Sequence, residues 1–116
     1  MDDQPGFCEA ARDLLECQGV AVVGCARSSA EAVRSVRELR PEVALVDIEL
    51  GAESGFDVAR LLAADPDGNT PQVILISTHD EREFAKLIES SPAVGFLSKT
   101  ELSAERIYQL LDRREC

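Results

Sequence analysis

The stretch VALVDI, residues 43–48, is a short and almost continuously apolar run that includes the carboxylate of Asp47 near its end. Runs of this length that are rich in β-branched residues and bounded by Gly, Pro or Ser are typical of strands. The runs VILIS (73–77) and VGFL (94–97) have the same character, and VAVVGC (20–25) is predicted as a further strand. The three continuous runs indicate strands that are covered on both faces.

Helical patterns alternate with these strands. Apolar residues recur at helical spacing over five segments, at about 7–17, 29–39, 56–64, 80–90 and 103–113. Ser28, followed by Glu31, predicts a capping box at the start of the second helix. This alternation predicts an α/β fold in which helices cover a parallel sheet on both faces. With 116 residues, we expect one domain over 1–116.

The charge balance restricts the classes of partner. Acidic residues outnumber basic residues 22 to 12, which gives a formal net charge of −10. This balance argues against binding of nucleic acid or an anionic membrane, and it favours a basic protein surface or a metal cation. No apolar stretch is long enough to span a membrane, and the acidic N-terminus differs from a signal peptide. We therefore expect a cytoplasmic protein.

The cysteines do not form a recognisable motif. Their positions are Cys8, Cys17, Cys25 and Cys116, and no pair has the spacing of a metal-binding motif. We predict that they are reduced, and that the first three pack as small hydrophobic residues.

Polar residues follow the predicted strands, at the edge where ligands bind in open α/β sheets. Asp47 closes VALVD (43–47), Ser77 and Thr78 follow VILI, and Lys99 follows the last strand. Either hydroxyl, Ser77 or Thr78, could serve at this edge, although register favours Ser77. Taken alone, Asp47 could cap a turn and Lys99 could be a solvated surface residue.

The first helix is preceded by Asp2 and Asp3, which could be a disordered acidic tail. If they reach the same edge as Asp47, the three carboxylates repel one another unless a cation joins them. Mg²⁺, or Mn²⁺ in its place, suits such oxygen ligands and leaves room for phosphate oxygens. With a hydroxyl and a lysine opposite, this site could stabilise a transferring phosphoryl group, and Asp47 could be the nucleophile.

These residues, in register along the chain, resemble the response-regulator receiver domain, the phospho-acceptor module of two-component signalling. The matching positions are the acidic pair, the phosphorylated aspartate, the hydroxyl after the fourth strand, the lysine after the fifth and the aromatic switch residue: Asp2, Asp3, Asp47, Ser77, Lys99 and Phe96. The resemblance implies a flavodoxin-like doubly wound parallel sheet with strand order 2-1-3-4-5. An apolar first strand precedes the acidic pair in the family and is absent or truncated here. We therefore expect the natural protein to start upstream of Met1.

The resemblance also implies a metal site. Asp3 would bind Mg²⁺ directly and Asp2 through water, while Asp47 and the backbone carbonyl of Glu49 would complete the protein ligands. Glu49 and His79 are further candidates for tuning the rate of phosphoryl loss.

The remaining implied roles concern the phosphoryl group and its readout. Ser77 and Lys99 would bind the phosphoryl group on Asp47, and Phe96 would rotate inward, although a phenylalanine in a strand could equally be core. The change would reach the face made by the fourth helix, the fifth strand and the fifth helix.

The partners that this function implies are a histidine kinase and a downstream protein or a separate output domain, with homodimer formation through the switched face as a further expectation. No nucleic acid or membrane is expected to bind this domain. A phosphatase of the haloacid-dehalogenase type is disfavoured, since Asp47-Ile48-Glu49 lacks its second aspartate, so no turnover enzyme is expected. The alternative is a phosphorylation-independent interaction module on the same scaffold.

Overall fold

The computed structural model describes residues 5–26, 28–50, 53–64, 71–77 and 85–115. The described helices and strands, in chain order, are α1 (Pro5–Cys17), α2 (Ser29–Leu39), β1 (Val43–Asp47), β2 (Glu49–Leu50), β3 (Glu53–Ser54), α3 (Gly55–Ala63), β4 (Gln72–Ser77), α4 (Ala85–Ser90), β5 (Gly95–Ser98) and α5 (Ala104–Glu115). These bounds confirm the predicted helices, within the described residues, and three of the predicted strands. The acidic pair and any strand that precedes it lie outside the described residues.

The sheet is parallel and has the order β1-β4-β5. Val46 lies opposite Leu75, and Leu75 lies opposite Phe96, so the three strands end at a common edge. The α/β class with a parallel sheet is therefore confirmed. A small antiparallel pair, β2 with β3, was not predicted, because strands of two residues are too short to show any periodicity.

Side chains of β4 alternate between two apolar clusters, one on each face of the sheet. Val73 and Leu75 lie in a cluster with residues of α2 and α3, while Ile74 and Ile76 lie in a cluster with residues of α1 and α5. All four are at most 2% exposed. This confirms that helices cover the sheet on both sides, as the continuous apolar runs predicted.

Gly95 shows how closely α5 packs on the sheet. A Cβ atom at this position would lie 2.7 Å from a methyl carbon of Leu110. The end of α1 is joined to the start of α5 by Gln18, whose side chain accepts a hydrogen bond from the backbone N–H of Ala104 at 2.6 Å. These contacts hold α5, the helix after Lys99, against the sheet and against the end of α1.

Residues 20–26 have no regular secondary structure, so the prediction of a strand at 20–25 is wrong. A strand requires hydrogen bonds to a neighbouring strand, and within the described residues this segment pairs with none of β1, β4 and β5. Its apolar side chains are only partly used. Val20 and Val22 pack against the cluster below α1 and α5, whereas Val23 is 55% exposed.

A disulfide joins Cys8 of α1 to Cys25, with the two Cα atoms 6.4 Å apart. We call residues 20–26 the tethered segment for this reason. Cys17 is free and exposed. The prediction of reduced cysteines is therefore wrong for Cys8 and Cys25 and right for Cys17. The exposure of Cys17 and Cys25 contradicts the prediction that they pack as small hydrophobic residues, and Cys116 lies outside the described residues. The fold brings the tethered segment close to the first turn of α1. The spacing of the cysteines along the chain does not predict that the two segments meet.

The predicted cap of α2 is present, since the Ser28 hydroxyl accepts a hydrogen bond from the backbone N–H of Glu31 at 3.2 Å. No helix in the part of the chain that the structure describes is long and apolar enough to cross a membrane.

Candidate functional site

The polar residues at the strand ends meet at one edge of the sheet. Asp47 is the last residue of β1 and lies opposite Ile76, one residue before the end of β4. Ser77 ends β4 and lies opposite Ser98, which ends β5. Lys99 follows directly. The predicted placement of Asp47, Ser77 and Lys99 at the carboxyl ends of adjacent strands is therefore confirmed.

Asp47 and Lys99 form a buried ion pair. The distance between Lys99 Nζ and Asp47 Oδ2 is 2.8 Å, and the two side chains are only 7% and 5% exposed. Removing two charges from water costs several kcal/mol per ion, which the attraction between them offsets only in part. An ion pair in this place is therefore weak as a stabilising device, and its position at the sheet edge makes the two residues candidates for a functional site.

Phe7 covers the lysine from the side of α1. Its ring centroid lies 4.3 Å from Lys99 Nζ, which is a cation–π contact. From the sequence, Phe7 is predicted only as the start of a helix, and this contact is not predicted. The aromatic residue itself was visible in the sequence, but its approach to Lys99 depends on how α1 docks beside the end of β5.

A 3-10 turn over Lys99–Glu101 orients the lysine. The hydroxyl of Ser98 accepts a hydrogen bond from the backbone N–H of Thr100 at 3.4 Å and lies 2.9 Å from the Thr100 hydroxyl. Arg106 Nη2 of α5 lies 3.1 Å from Glu101 Oε2. Both ends of the turn are thus fastened, one to β5 and the other to α5.

Gly55 allows α3 to begin against the backbone of Asp47. A Cβ atom at this position would overlap the backbone oxygen of Asp47 and lie 2.7 Å from Cα of Ile48. The backbone N–H of Gly55 donates a hydrogen bond to the carbonyl oxygen of Ile48 at 2.9 Å. Sequence reasoning missed this requirement for glycine, because it follows from a close approach of two backbone segments.

The other predicted residues have mixed outcomes. Ser77 is 1% exposed, and Phe96 is half-buried and packs against the cluster on the α2 and α3 side. Glu49 begins β2, where its backbone lies opposite Ser54. Asp2, Asp3, Thr78 and His79 lie outside the described residues.

Of the predicted metal ligands, the described residues include Asp47 and the backbone of Glu49. No group of three or more His, Cys, Asp or Glu side chains that could hold a metal ion occurs in the described ranges. Asp47 is the one predicted carboxylate ligand in those ranges whose side chain is described, and Lys99 already binds its Oδ2. Its oxygen chemistry fits a hard divalent cation such as Mg²⁺, with any further carboxylates supplied from outside these ranges.

Comparison with known proteins identifies this arrangement. Residues 1–112 match the family described as the response regulator receiver domain. The chain belongs to this family. Receiver domains are modules of two-component signalling, and the α/β receiver fold that the resemblance implied is confirmed. Of the implied order 2-1-3-4-5, the described residues show three parallel strands in the order β1-β4-β5. The buried pair of Asp47 and Lys99 thus lies in a receiver domain, at the carboxyl edge of its sheet.

Three matches illustrate the similarity. The probable transcriptional regulatory protein NarL of Mycobacterium tuberculosis is 35% identical over 113 residues, which are 96% of this chain and 51% of that protein. The solved signal receiver domain of the putative response regulator NarL from Mycobacterium tuberculosis is 32% identical with a TM-score of 0.80, covering 98% of this chain and 91% of that chain. A response regulator from Burkholderia pseudomallei is 25% identical with a TM-score of 0.75, covering 95% of this chain and 62% of that chain.

The chain spans about half or less of the length of the curated relatives that it matches. The activities of those longer proteins are therefore not assigned to this chain by the match alone.

Proposed function

We propose that this receiver domain accepts a phosphoryl group on Asp47 from a histidine kinase, in a reaction that requires Mg²⁺ or Mn²⁺. The observation that carries the proposal is the buried ion pair between Lys99 Nζ and Asp47 Oδ2 at 2.8 Å. It holds a potential nucleophile and a cation within one hydrogen-bond length of each other. Their shared site is the edge of the sheet where ligands bind in α/β folds.

The chemistry follows from the residues at this edge. A carboxylate oxygen of Asp47 forms the new bond to phosphorus, while the bond between phosphorus and the donor breaks and its electron pair leaves with the donor. The Lys99 ammonium, already at the carboxylate, neutralises charge on the phosphoryl oxygens. A divalent cation would offset further phosphoryl charge, with Asp2, Asp3, Asp47 and the carbonyl of Glu49 as its proposed ligands.

The hydroxyl of Ser77 is the proposed hydrogen-bond donor to the bound phosphoryl group. It ends β4, the strand between β1 and β5, and is 1% exposed. A hydroxyl fixed at that point can donate to a phosphoryl oxygen without first losing a large amount of conformational freedom. Thr78 remains the alternative donor, and Glu49 and His79 remain candidates for tuning phosphoryl loss.

The Burkholderia pseudomallei relative supports this assignment. That structure is described as a response regulator protein with a phosphorylated aspartic acid, a calcium ion and citrate. An acyl phosphate and a divalent cation are therefore compatible with this fold in a relative that is 25% identical.

The proposed readout is the face formed by α4, β5 and α5. Phe96 lies on β5, three residues before Lys99, and it is half-buried. A shift of the turn that begins at Lys99 can therefore change the packing of Phe96. Leu87 of α4 is 49% exposed and Tyr108 of α5 is 53% exposed. These side chains offer contacts to a downstream protein, an output domain or a second copy of this domain.

The proposed setting is a cytoplasmic signalling pathway in which this domain itself contacts neither DNA nor a membrane. Its net charge of −10 opposes binding to either polyanion. The NarL relative is named a transcriptional regulatory protein, and this chain covers 51% of it. We infer that any transcriptional output belongs to a further domain or to a separate protein.

Intact-protein mass spectrometry after treatment with a small phosphodonor tests this proposal. Wild type with Mg²⁺ should gain one phosphoryl group, about 80 Da, and chelation of Mg²⁺ should prevent the gain. Asp47→Asn should gain none. Asp57→Asn, which changes an exposed aspartate of α3, is the matched control and should behave like wild type. A wild type that gains nothing, or an Asp47→Asn variant that gains as much as wild type, would refute the proposal.

A further inference from the structure

The disulfide between Cys8 and Cys25 is open to solvent. Cys8 is half-buried and Cys25 is exposed, and their bond joins the first turn of α1 to the tethered segment. A disulfide in a protected core is a permanent staple, whereas one that small thiols can reach is able to exchange with them. A reversible disulfide must be accessible to small thiols, and the disulfide between Cys8 and Cys25 meets this first requirement.

Arg12 provides the second requirement. It follows Cys8 by four residues on α1, so the two side chains lie on one face of the helix. Arg12 Nη2 lies 3.8 Å from Cys25 Sγ. Its Nε is buried and has no hydrogen-bond acceptor in the part of the chain that the structure describes. A guanidinium beside a cysteine sulfur stabilises the thiolate, which is both the attacking and the leaving species of disulfide exchange.

A third observation connects this bond with the phosphoryl site. Cys8 is directly preceded by Phe7, whose ring lies 4.3 Å from Lys99 Nζ. Lys99 in turn binds Asp47. The bond that fixes the first turn of α1 to the tethered segment therefore also fixes the residue that covers the lysine.

We propose that Cys8 and Cys25 are a reversible thiol–disulfide switch that exchanges with a small thiol–disulfide couple of the glutathione class. In the disulfide state, the first turn of α1 holds Phe7 over Lys99. Reduction releases that turn from the tethered segment, and Phe7 then covers Lys99 less. The effect on phosphorylation rests on the proposed function of Asp47, whereas the switch itself does not.

The exchange is balanced by the small disulfide that acts as oxidant. The Cys25 thiolate attacks one sulfur of the small disulfide, which releases one small thiol and leaves a mixed disulfide on Cys25. The Cys8 thiolate then attacks Cys25 Sγ and expels the second small thiol. Two electrons pass from the cysteine pair to the small disulfide, and the protons of the two cysteine thiols end on the two released thiols. Reduction is the reverse sequence.

Thiol labelling across glutathione redox buffers tests the switch. A Cys17→Ser/Cys116→Ser background leaves Cys8 and Cys25 as the two cysteines. Mass spectrometry after alkylation should show both thiols appearing together as the buffer becomes more reducing, with the circular dichroism of the folded domain retained. Thiols that stay reduced in fully oxidised glutathione, or a bond that is reduced only when the domain unfolds, would overturn the proposal.

The role of Arg12 has its own matched pair of variants. In the same background, Arg12→Gln should slow the reaction of Cys25 with a small disulfide by roughly three- to tenfold. Arg60→Gln removes an exposed arginine of α3 that pairs with Asp57, and it should leave this rate unchanged. Equal rates in both variants would remove Arg12 from the mechanism.

Lysine labelling tests the connection to the site without any phosphorylation. Lys99 and Lys86 are the two lysines of the chain, and Lys86 is exposed on α4, so it is an internal control. An amine-reactive ester should modify Lys99, relative to Lys86, about two- to fivefold faster in the reduced state than in the disulfide state. Phe7→Leu should abolish this difference. Equal labelling of Lys99 in both redox states of the unsubstituted chain would contradict the connection.

Phosphodonor labelling in both redox states separates the two proposals. In the disulfide state, Phe7 holds the Lys99 ammonium beside Asp47, where it can neutralise phosphoryl charge. We therefore expect this state to accumulate about two- to fivefold more acyl phosphate than the reduced state or Cys8→Ser. Equal accumulation in both states overturns the redox effect on phosphorylation. If neither state is phosphorylated, the proposed function itself is wrong, while the thiol and lysine labelling still decide whether the switch exists.

Discussion

Strand β4 and the tethered segment have similar sequences and different structures. Gln72–Ser77 reads QVILIS and residues 20–25 read VAVVGC, and both are rich in β-branched residues. Strand β4 pairs with β1 on one side and β5 on the other, whereas the tethered segment pairs with none of these strands. The difference teaches that β-propensity describes how well a side chain fits a sheet, and that a hydrogen-bonded neighbour decides whether a strand forms.

The two regions also hold their functional groups by different means. Strand β4 places Ser77 between the strands that end at Asp47 and lead to Lys99, so hydrogen bonds and burial on both faces fix it. The tethered segment carries Cys25, and a covalent bond to α1 holds it. The proposed phosphoryl site therefore lies on the most constrained part of the described fold, and the proposed switch lies on a less constrained part.

Hydrogen exchange gives the largest expected difference between the two regions. The amides of Ile74 and Leu75 are in the centre of the sheet, so they should exchange only through global unfolding. The amides of Ala21 and Val23 should exchange at least about a thousandfold faster, because they belong to no strand ladder. Similar exchange rates in both regions, measured by nuclear magnetic resonance, would show that the tethered segment is a strand in solution.

At the sheet edge, the comparison can be made with the two lysines of the chain. Lys99→Met should lower the free energy of unfolding by about 3 kcal/mol, since it leaves the buried Asp47 carboxylate without its cation. Lys86→Met, which changes an exposed lysine, should change it by less than about 0.5 kcal/mol. Denaturant unfolding measures both values. Equal effects of the two substitutions would mean that the ion pair is not buried in solution.

Two valine substitutions compare the segments directly. Val73→Ala in β4 should cost about 2 kcal/mol, because the side chain is 2% exposed. Val23→Ala in the tethered segment should cost less than about 0.5 kcal/mol, because the side chain is 55% exposed. The chemical change is the same in both variants, so the difference in their unfolding midpoints reports burial. A cost at Val23 as large as that at Val73 would contradict the described packing.

Two glycine substitutions give the smallest expected effects and compare the space at the start of α3, beside the sheet edge, with the space at the start of α1. Gly55→Ala should destabilise the domain by at least about 1 kcal/mol, since the new Cβ atom meets the backbone of Asp47 and Ile48. Gly6→Ala on α1 meets nothing within 4 Å and should be neutral or stabilise the helix by up to about 1 kcal/mol. Thermal unfolding checks both signs. A harmless Gly55→Ala would show that α3 does not begin against Asp47.

The features that the sequence predicts well are those with a local cause. The strand endings at Asp47 and Ser77, and the cap of α2 at Ser28, follow from periodicity and from hydrogen bonds between near neighbours. The contact between Asp47 and Lys99 is predicted as well. Parallel strands end at one edge of the sheet, and the positions of these residues at the strand ends bring both to that edge.

The features that it misses arise from approaches between distant parts of the chain. The cation–π contact of Phe7, the glycine requirement at position 55 and the bond between Cys8 and Cys25 each depend on how helices dock on the sheet. The error at residues 20–25 has a related cause, since the sequence shows the apolar run but not whether a strand lies beside it.

The assignment of Asp47 as phospho-acceptor is tested most directly by mapping the modified residue. Wild type is treated with a small phosphodonor and Mg²⁺, and borohydride then reduces the aspartyl phosphate to homoserine with release of phosphate, so that peptide mass spectrometry locates the modified residue. We expect homoserine at residue 47 alone, with a lower yield in Lys99→Met than in Lys86→Met. Homoserine at another aspartate, or an unmodified Asp47 in a protein that has gained a phosphoryl group, would contradict the assignment.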